Sequence, residues 1–212
     1  AIVTTMKNEG PFILEWIAYH RAIGVDDFLV YTNDCTDGSD VLLDALAGIG
    51  WVTHHRHAPA PGASVQGDVA GHAFADRAIM SADWLMWLDA DEFLLVNTGA
   101  GLLPDLITAI GAADGMAINW RLFGDSGFDR SPDGLVTEAF RQAAPLKYRL
   151  NRRVKTLHRV DDRITGLFIH RPVWRDTTDR PVRLLSGAGM PLSQEFVLRP
   201  KDNGNPQEMV DK

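Results

Sequence analysis

Trp84-Leu85-Met86-Trp87-Leu88-Asp89-Ala90-Asp91-Glu92 is a run of five apolar residues ending in an acidic cluster, the pattern of a buried strand whose carboxyl end carries charge. Successive strand residues point to opposite faces. The spacing therefore predicts Asp89 and Asp91 on one side of the chain, two like charges that a cation between them neutralises. Hard carboxylate oxygens suit Mg²⁺ or Mn²⁺, and such an ion takes one or two carboxylates and fills its shell with water and substrate phosphate. A bare Asp-x-Asp is also an ordinary solvated turn, so the surrounding chain has to decide between the two.

Outward from this stretch the chain alternates short apolar runs with helical periodicity. Residues 1–6, 27–32 and 51–55 read as strands, with further strands over 115–122 and near 136–140, 153–159 and 165–169. A helix is expected from Pro11, with Ile13, Trp16, Ile17, His20 and Ile23 at helical spacing and Gly24 closing it. Others are expected over 41–49, 68–81 and 102–110, and the loop at 56–67 is rich in Pro, Ala and Gly. Alternating β and α units predict an α/β fold, a single Rossmann-like domain whose mostly parallel central sheet is flanked by helices, with ligands at the strand carboxyl ends. Residues 1–100 then form a nucleotide-binding half and 101–170 an acceptor-facing half. Residues 171–212, interrupted by several prolines and weakly periodic, are expected to be an irregular segment that acts as a lid.

The 212 residues suffice for one such domain, and their net charge of −7 without a basic stripe argues against nucleic acid as a partner. The densest basic stretch, residues 147–155, is either a solvated strand edge or a local anion site. A single cysteine, Cys35, excludes an internal disulfide framework and fits a reducing compartment. With no apolar run near the length of a membrane span and no signal peptide, a cytoplasmic location is expected, which leaves peripheral membrane association open.

Four stretches, in order, resemble the family 2-like branch of the GT-A glycosyltransferases: Thr4-Thr5-Met6-Lys7-Asn8-Glu9, Tyr31-Thr32-Asn33-Asp34-Cys35-Thr36-Asp37-Gly38-Ser39, Trp87-Leu88-Asp89-Ala90-Asp91-Glu92-Phe93 and Asn119-Trp120-Arg121-Leu122-Phe123-Gly124. The resemblance covers most of residues 1–170. It implies the GT-A fold and transfer of a sugar from a nucleoside diphosphate sugar, uridine-linked by preference, to a saccharide or other acceptor hydroxyl, with inversion and with Mn²⁺ or Mg²⁺. Carried over residue by residue, it implies Thr5 and Glu9 beside base and ribose, Asn33 or Asp34 at the base, Arg77 on the nucleotide, and Asp89 and Asp91 on the metal and diphosphate. GT-A enzymes often complete the metal site with a late histidine, and His170, ending the run Leu167-Phe168-Ile169, is the candidate. The family pattern also has a later His followed by Tyr, unmatched before Lys212.

An acceptor base must be a carboxylate or His across the cleft from the metal. Asp125 and Glu138 both qualify on the residues alone; related chains often carry a small hydroxyl residue at the position of Asp125, so the pattern favours Glu138. Trp120 is either core or a platform for a sugar ring. Glu92 reads as a hydrogen-bonded turn residue, Gly38 as a tight turn and Ser39 as a helix cap. His54-His55-Arg56-His57 lacks the Cys or His-Glu helix partners of a tetrahedral site, so zinc is not expected there. Two other functions fit an α/β domain with strand-end carboxylates. A nucleotidyltransferase calls for a glycine-rich basic loop that Lys7-Asn8-Glu9-Gly10 does not provide, and a catalytically silent carbohydrate- or partner-binding module leaves Asp89 and Asp91 without a task.

Overall fold

The computed structural model describes residues 1–62, 64–175 and 178–198. Its centre is a seven-stranded sheet in the order β3-β2-β1-β4-β6-β5-β9. The strands are β1 (Ile2–Met6), β2 (Phe28–Thr32), β3 (Thr53–Arg56), β4 (Trp84–Trp87), β5 (Gly115–Asn119), β6 (Val154–Arg159) and β9 (Leu184–Ser186). Neighbours are parallel throughout except for β6, which runs antiparallel to both β4 and β5. A separate hairpin pairs β7 (Ile164–Gly166) with β8 (Val173–Trp174).

The apolar runs are explained by burial on both sheet faces. Ile2, Phe28, Val30 and Met86 face one layer, where α1 (Gly10–Ala22), α2 (Ser39–Gly48) and α4 (Leu103–Ile110) contribute Ile13, Trp16, Ile17, Leu43, Leu46, Leu106 and Ile110. Val3, Leu29, Leu85 and Trp87, one residue along in each strand, face the other, with Val69 and Ala73 of α3 (Val65–Ala75). That second layer also contains Val182, Leu184, Leu192 and, from α6 (Gln194–Leu198), Phe196 and Val197. The segment from 171 was expected to be irregular; its described residues instead supply an edge strand and a share of the core. The remainder of that segment, like Ala63, lies outside the described residues. Among the described residues, no helix is long and apolar enough to cross a membrane.

Two local expectations also fail, one for a tertiary and one for a local reason. Residues 136–139 form a short helix, α5 (Val136–Ala139), rather than a strand. The Glu15 carboxylate on α1 accepts the N–H groups of Val136 and Thr137 at 2.7 and 3.0 Å and the Thr137 hydroxyl at 2.7 Å, satisfying its first donors. The helix expected over 68–81 ends at Ala75, and Asp76, with extended backbone, caps a following 3-10 turn through the N–H groups of Ala78 and Ile79.

One glycine is required by packing. A Cβ on Gly115 would stand 2.5 Å from the Leu157 carbonyl oxygen and 3.0 Å from the His158 Cα on the paired strand β6. Both atoms are backbone and cannot swing aside, so Gly115→Ala is expected to cost about 1–3 kcal/mol. Chemical denaturation with an unchanged midpoint would show that the β5–β6 pair can separate freely.

The topology gathers chemistry at one edge. The carboxyl ends of the parallel strands open there into the segments after Met6, Thr32, Arg56, Trp87 and Asn119. Because β6 is reversed, its amino end reaches the same edge. The long excursion between β5 and β6 leaves and returns there, closed at its base by the Trp120 N–H donating to the Arg153 carbonyl at 2.8 Å.

Candidate functional site

The acidic cluster is a turn, not a continuation of β4. The Glu92 N–H donates to the Asp89 carbonyl at 3.0 Å while the Asp89 N–H donates to Glu92 Oε2 at 2.8 Å. Strand alternation therefore does not set the relative direction of Asp89 and Asp91. Asp91 is exposed at the apex; Asp89 is 29% exposed. Glu92 is the hydrogen-bonded turn residue expected.

Lys155 enters this turn from the start of β6. Its side chain is 2% exposed, and its Nζ stands 2.9 Å from Asp89 Oδ2 and 3.2 Å from Glu92 Oε2. Burial pushes the Glu92 carboxyl up to about 7, against the pull of Lys155. The Gln66 amide of α3 adds a donor to Asp89 Oδ1 at 3.4 Å. Lys155 was visible in the sequence only as part of a basic stretch; the reversed strand is what aims it inward.

Helix α1 holds the chain beyond the turn. The Trp16 indole N–H donates to the Glu92 carbonyl at 2.8 Å, and the Tyr19 hydroxyl to the Leu94 carbonyl at 3.0 Å. His20 donates from Nδ1 to the Trp16 carbonyl at 2.8 Å and accepts the Leu94 N–H at Nε2, 3.2 Å away. Only the neutral ring makes both bonds. Burial depresses the His20 and His158 imidazoles from 6.5 to about 4. The stability that depends on their neutrality is complete above pH 6.5 and is lost as the pH falls from there toward 4. NMR titration is expected to find both rings uncharged at about pH 5, and a midpoint near the unperturbed value of about 6.5 would contradict their burial.

The loops after β1 and β2 interlock beside the turn. Asn8 and Asp34 both adopt positive φ, at 58° and 46°. The Asn8 side chain accepts the Thr36 N–H at 2.8 Å, and Asp37 accepts the Gly10 N–H at 3.0 Å. Asp37 also accepts the Ser39 N–H and hydroxyl, while Gly38, at φ 87°, is the residue before the helix. The N-cap position is thus Gly38, the capping carboxylate is that of Asp37 one residue before it, and Ser39 is already helical. Thr5 and Glu9 lie along or just after β1, Asn33 and Asp34 just after β2, with Asn33 donating to Asp34 at 3.0 Å. Burial, then the charges of Asp91 and Asp37, raise the Glu9 carboxyl. Glu9, Asp37 and Asp91 therefore share one negative field.

His170 is buried, and its Nδ1–H donates to the Val154 carbonyl at 2.9 Å. Burial lowers its pKa, leaving Nε2 with a free lone pair, the state of a metal ligand. Its ring lies 5.7 Å from that of Trp120, which also carries the Arg153 guanidinium at 5.5 Å. Donor chemistry at Asp89, Asp91 and His170 suits a hard divalent cation, and the negative field around Asp91 favours one. Their ligand atoms do not, however, converge within 4.8 Å of one another. Lys155 already partners Asp89, so an ion here shares that carboxylate or displaces the ammonium.

The remaining sequence candidates divide. Glu138 is exposed on α5 with a carboxylate that makes no hydrogen bond or ion pair among the described residues, whereas Asp125 is exposed and accepts the Gly127 N–H at 2.9 Å. Arg77 is exposed just beyond the end of α3, between that helix and the 3-10 turn at Ile79–Ser81.

A sheet with this edge is shared by many chemistries, and comparison with known proteins narrows them. The sequence model of glycosyltransferase family 92 matches residues 3–173. The chain belongs to glycosyltransferase family 92. The family 92 chain is 29% identical over 143 residues to a family 92 protein of Ricinus communis, covering 66% of this chain and 25% of that one. It is 27% identical over 161 residues to another of Arabidopsis thaliana, covering 70% and 27%. It spans about a quarter of the length of these relatives. Among solved structures, TarS of S. aureus aligns over 75% of this chain and 28% of its own at 12% identity with a TM-score of 0.42, too distant to bear on the fold. The motif resemblance thus stands at the level of glycosyltransferase.

Proposed function

We propose that this family 92 chain carries the donor site of a glycosyltransferase that moves a sugar from a nucleoside diphosphate sugar, uridine-linked by preference, to an acceptor hydroxyl with inversion. The observation that carries this reading is the acidic turn of Asp89, Asp91 and Glu92, locked to Lys155 at the carboxyl edge of the sheet. Thr5 near the end of β1 and the interlocked loops of Glu9, Asn33 and Asp34 provide a fixed cradle for the nucleoside beside it. Asp89 and Asp91, with Nε2 of His170, are the residues that would hold Mn²⁺ or Mg²⁺. Such an ion supplies charge neutralisation at the leaving diphosphate. Lys155 holds the turn in place and offsets the buried charge of Glu92. Trp120 offers an apolar face near His170 for the sugar ring. Glu138, with its unengaged carboxylate, is our acceptor base, ahead of Asp125. The motif order shared with the family 2-like branch supports inversion. Residues 1–100 form the nucleotide half of this proposal and 101–170 the acceptor half.

The reading is tested by thermal shift against a panel of nucleoside diphosphates and their sugars with and without Mn²⁺. A nucleotide at 100 times its dissociation constant stabilises the fold by about 2.7 kcal/mol, or roughly 5–11 °C for a chain of this size. Stabilisation by a uridine nucleotide only when Mn²⁺ is present is expected. Equal shifts with and without the ion overturn the metal role, and no shift with any nucleotide overturns the donor site.

A further inference from the structure

His57, just after β3, gains in the fold the partners that its spacing denied it. Asp68 and His72 stand one turn apart on α3 and share a face of it. His57 comes to them from the end of β3, held by its N–H donating to the Thr32 carbonyl at 2.7 Å. His57 Nε2 lies 2.9 Å from Asp68 Oδ2, His72 Nε2 lies 4.0 Å from Asp68 Oδ1, and the ligand atoms of all three lie within 4.8 Å of one another. Zinc bonds of about 2.0–2.1 Å in tetrahedral geometry set neighbouring ligand atoms about 3.3 Å apart. The two distances bracket that value, and exposed His72 is free to adjust.

A second observation points to a ligand. The His57 side chain is only 9% exposed, and its Nε2 is buried without a hydrogen bond. The Asp68 oxygen is close to it but too oblique to accept an N–H. A buried polar atom without a hydrogen bond carries a cost of about 1–3 kcal/mol at most, which a metal bond at the same nitrogen would offset. The ion pair with Asp68 brings the carboxylate close but leaves this ring nitrogen without an aligned hydrogen-bond partner.

We propose that His57, Asp68 and His72 bind one Zn²⁺ ion through two imidazoles and a carboxylate, with a fourth position open to water. Two nitrogen ligands select Zn²⁺ over Mg²⁺ or Mn²⁺, so this site differs in kind from the carboxylates at the end of β4. The ion straps the chain leaving β3 onto the first turns of α3. Gln66 of that helix reaches Asp89, so the strap fixes one neighbour of the acidic turn.

The test is titration of the chain with Zn²⁺ by calorimetry and with Co²⁺ by its visible absorption, in the parent and in the His72→Ala, Asp68→Asn and Asp91→Asn variants. The parent and Asp91→Asn are expected to bind one equivalent with the absorption of tetrahedral Co²⁺. His72→Ala, at an exposed position that leaves the fold intact, and Asp68→Asn are expected to lose that step. Undiminished binding in His72→Ala, loss of the step in Asp91→Asn, or no saturable binding by the parent overturns the site.

Discussion

Asp91→Asn is expected to lower sugar transfer by roughly 100- to 1,000-fold while the melting temperature stays at the parent value. The magnitude follows from the several kcal/mol of charge stabilisation a metal ligand contributes, at about 1.36 kcal/mol for each tenfold in rate. The unchanged stability follows from position: Asp91 is exposed at the apex of its turn, and the hydrogen bonds that close that turn belong to Asp89 and Glu92. Loss of turnover should come with loss of the Mn²⁺-dependent nucleotide shift. A variant with parental turnover and parental metal dependence would remove Asp91 from the site.

Lys155→Met acts through the fold. It leaves Asp89 and Glu92 without their cation in a mostly buried turn, and breaking a buried pair on one side typically costs 3–5 kcal/mol. Asp89 keeps some contact with solvent, so the low end, about 3 kcal/mol, is expected, or roughly 6–12 °C. A second variant separates this from lost packing. Adding Glu92→Gln to Lys155→Met removes one of the stranded charges and should recover part of the deficit, the coupling expected of residues in one network. If the double variant is as unstable as the sum of the two single ones, the ion pair is not what Lys155 contributes.

The elements legible in the sequence are those whose signals are local. β1, β2 and β4 are apolar because helices cover both their faces, and α1, α2 and α4 show helical periodicity because each covers one. The acidic turn was legible as a strand end for the same reason, and Glu9, Asn33 and Asp34 as loop residues next to it, with Thr5 near the end of β1. What escaped depends on partners far along the chain. β9 is three residues long and exists by pairing with β5, and α5 is capped by a carboxylate 121 positions away. The pairing of Lys155 with Asp89 required knowing that β6 is reversed. Arg77, expected on a helix, lies just past the end of α3, and His57, Asp68 and His72 meet only once β3 and α3 are packed together.

The closure between Trp120 and Arg153 at the base of the β5–β6 excursion has a consequence for how the domain can diversify. Both feet of that excursion are anchored next to each other, so its interior can lengthen at a cost of only about 0.6 kcal/mol per doubling of an unstructured loop. Neither the sheet register nor the acidic turn needs to change when it does. The segment behaves as a replaceable cassette: under the proposed function, exchanging residues 121–152 for those of a relative would be the economical way to graft a new acceptor preference onto an unchanged donor half.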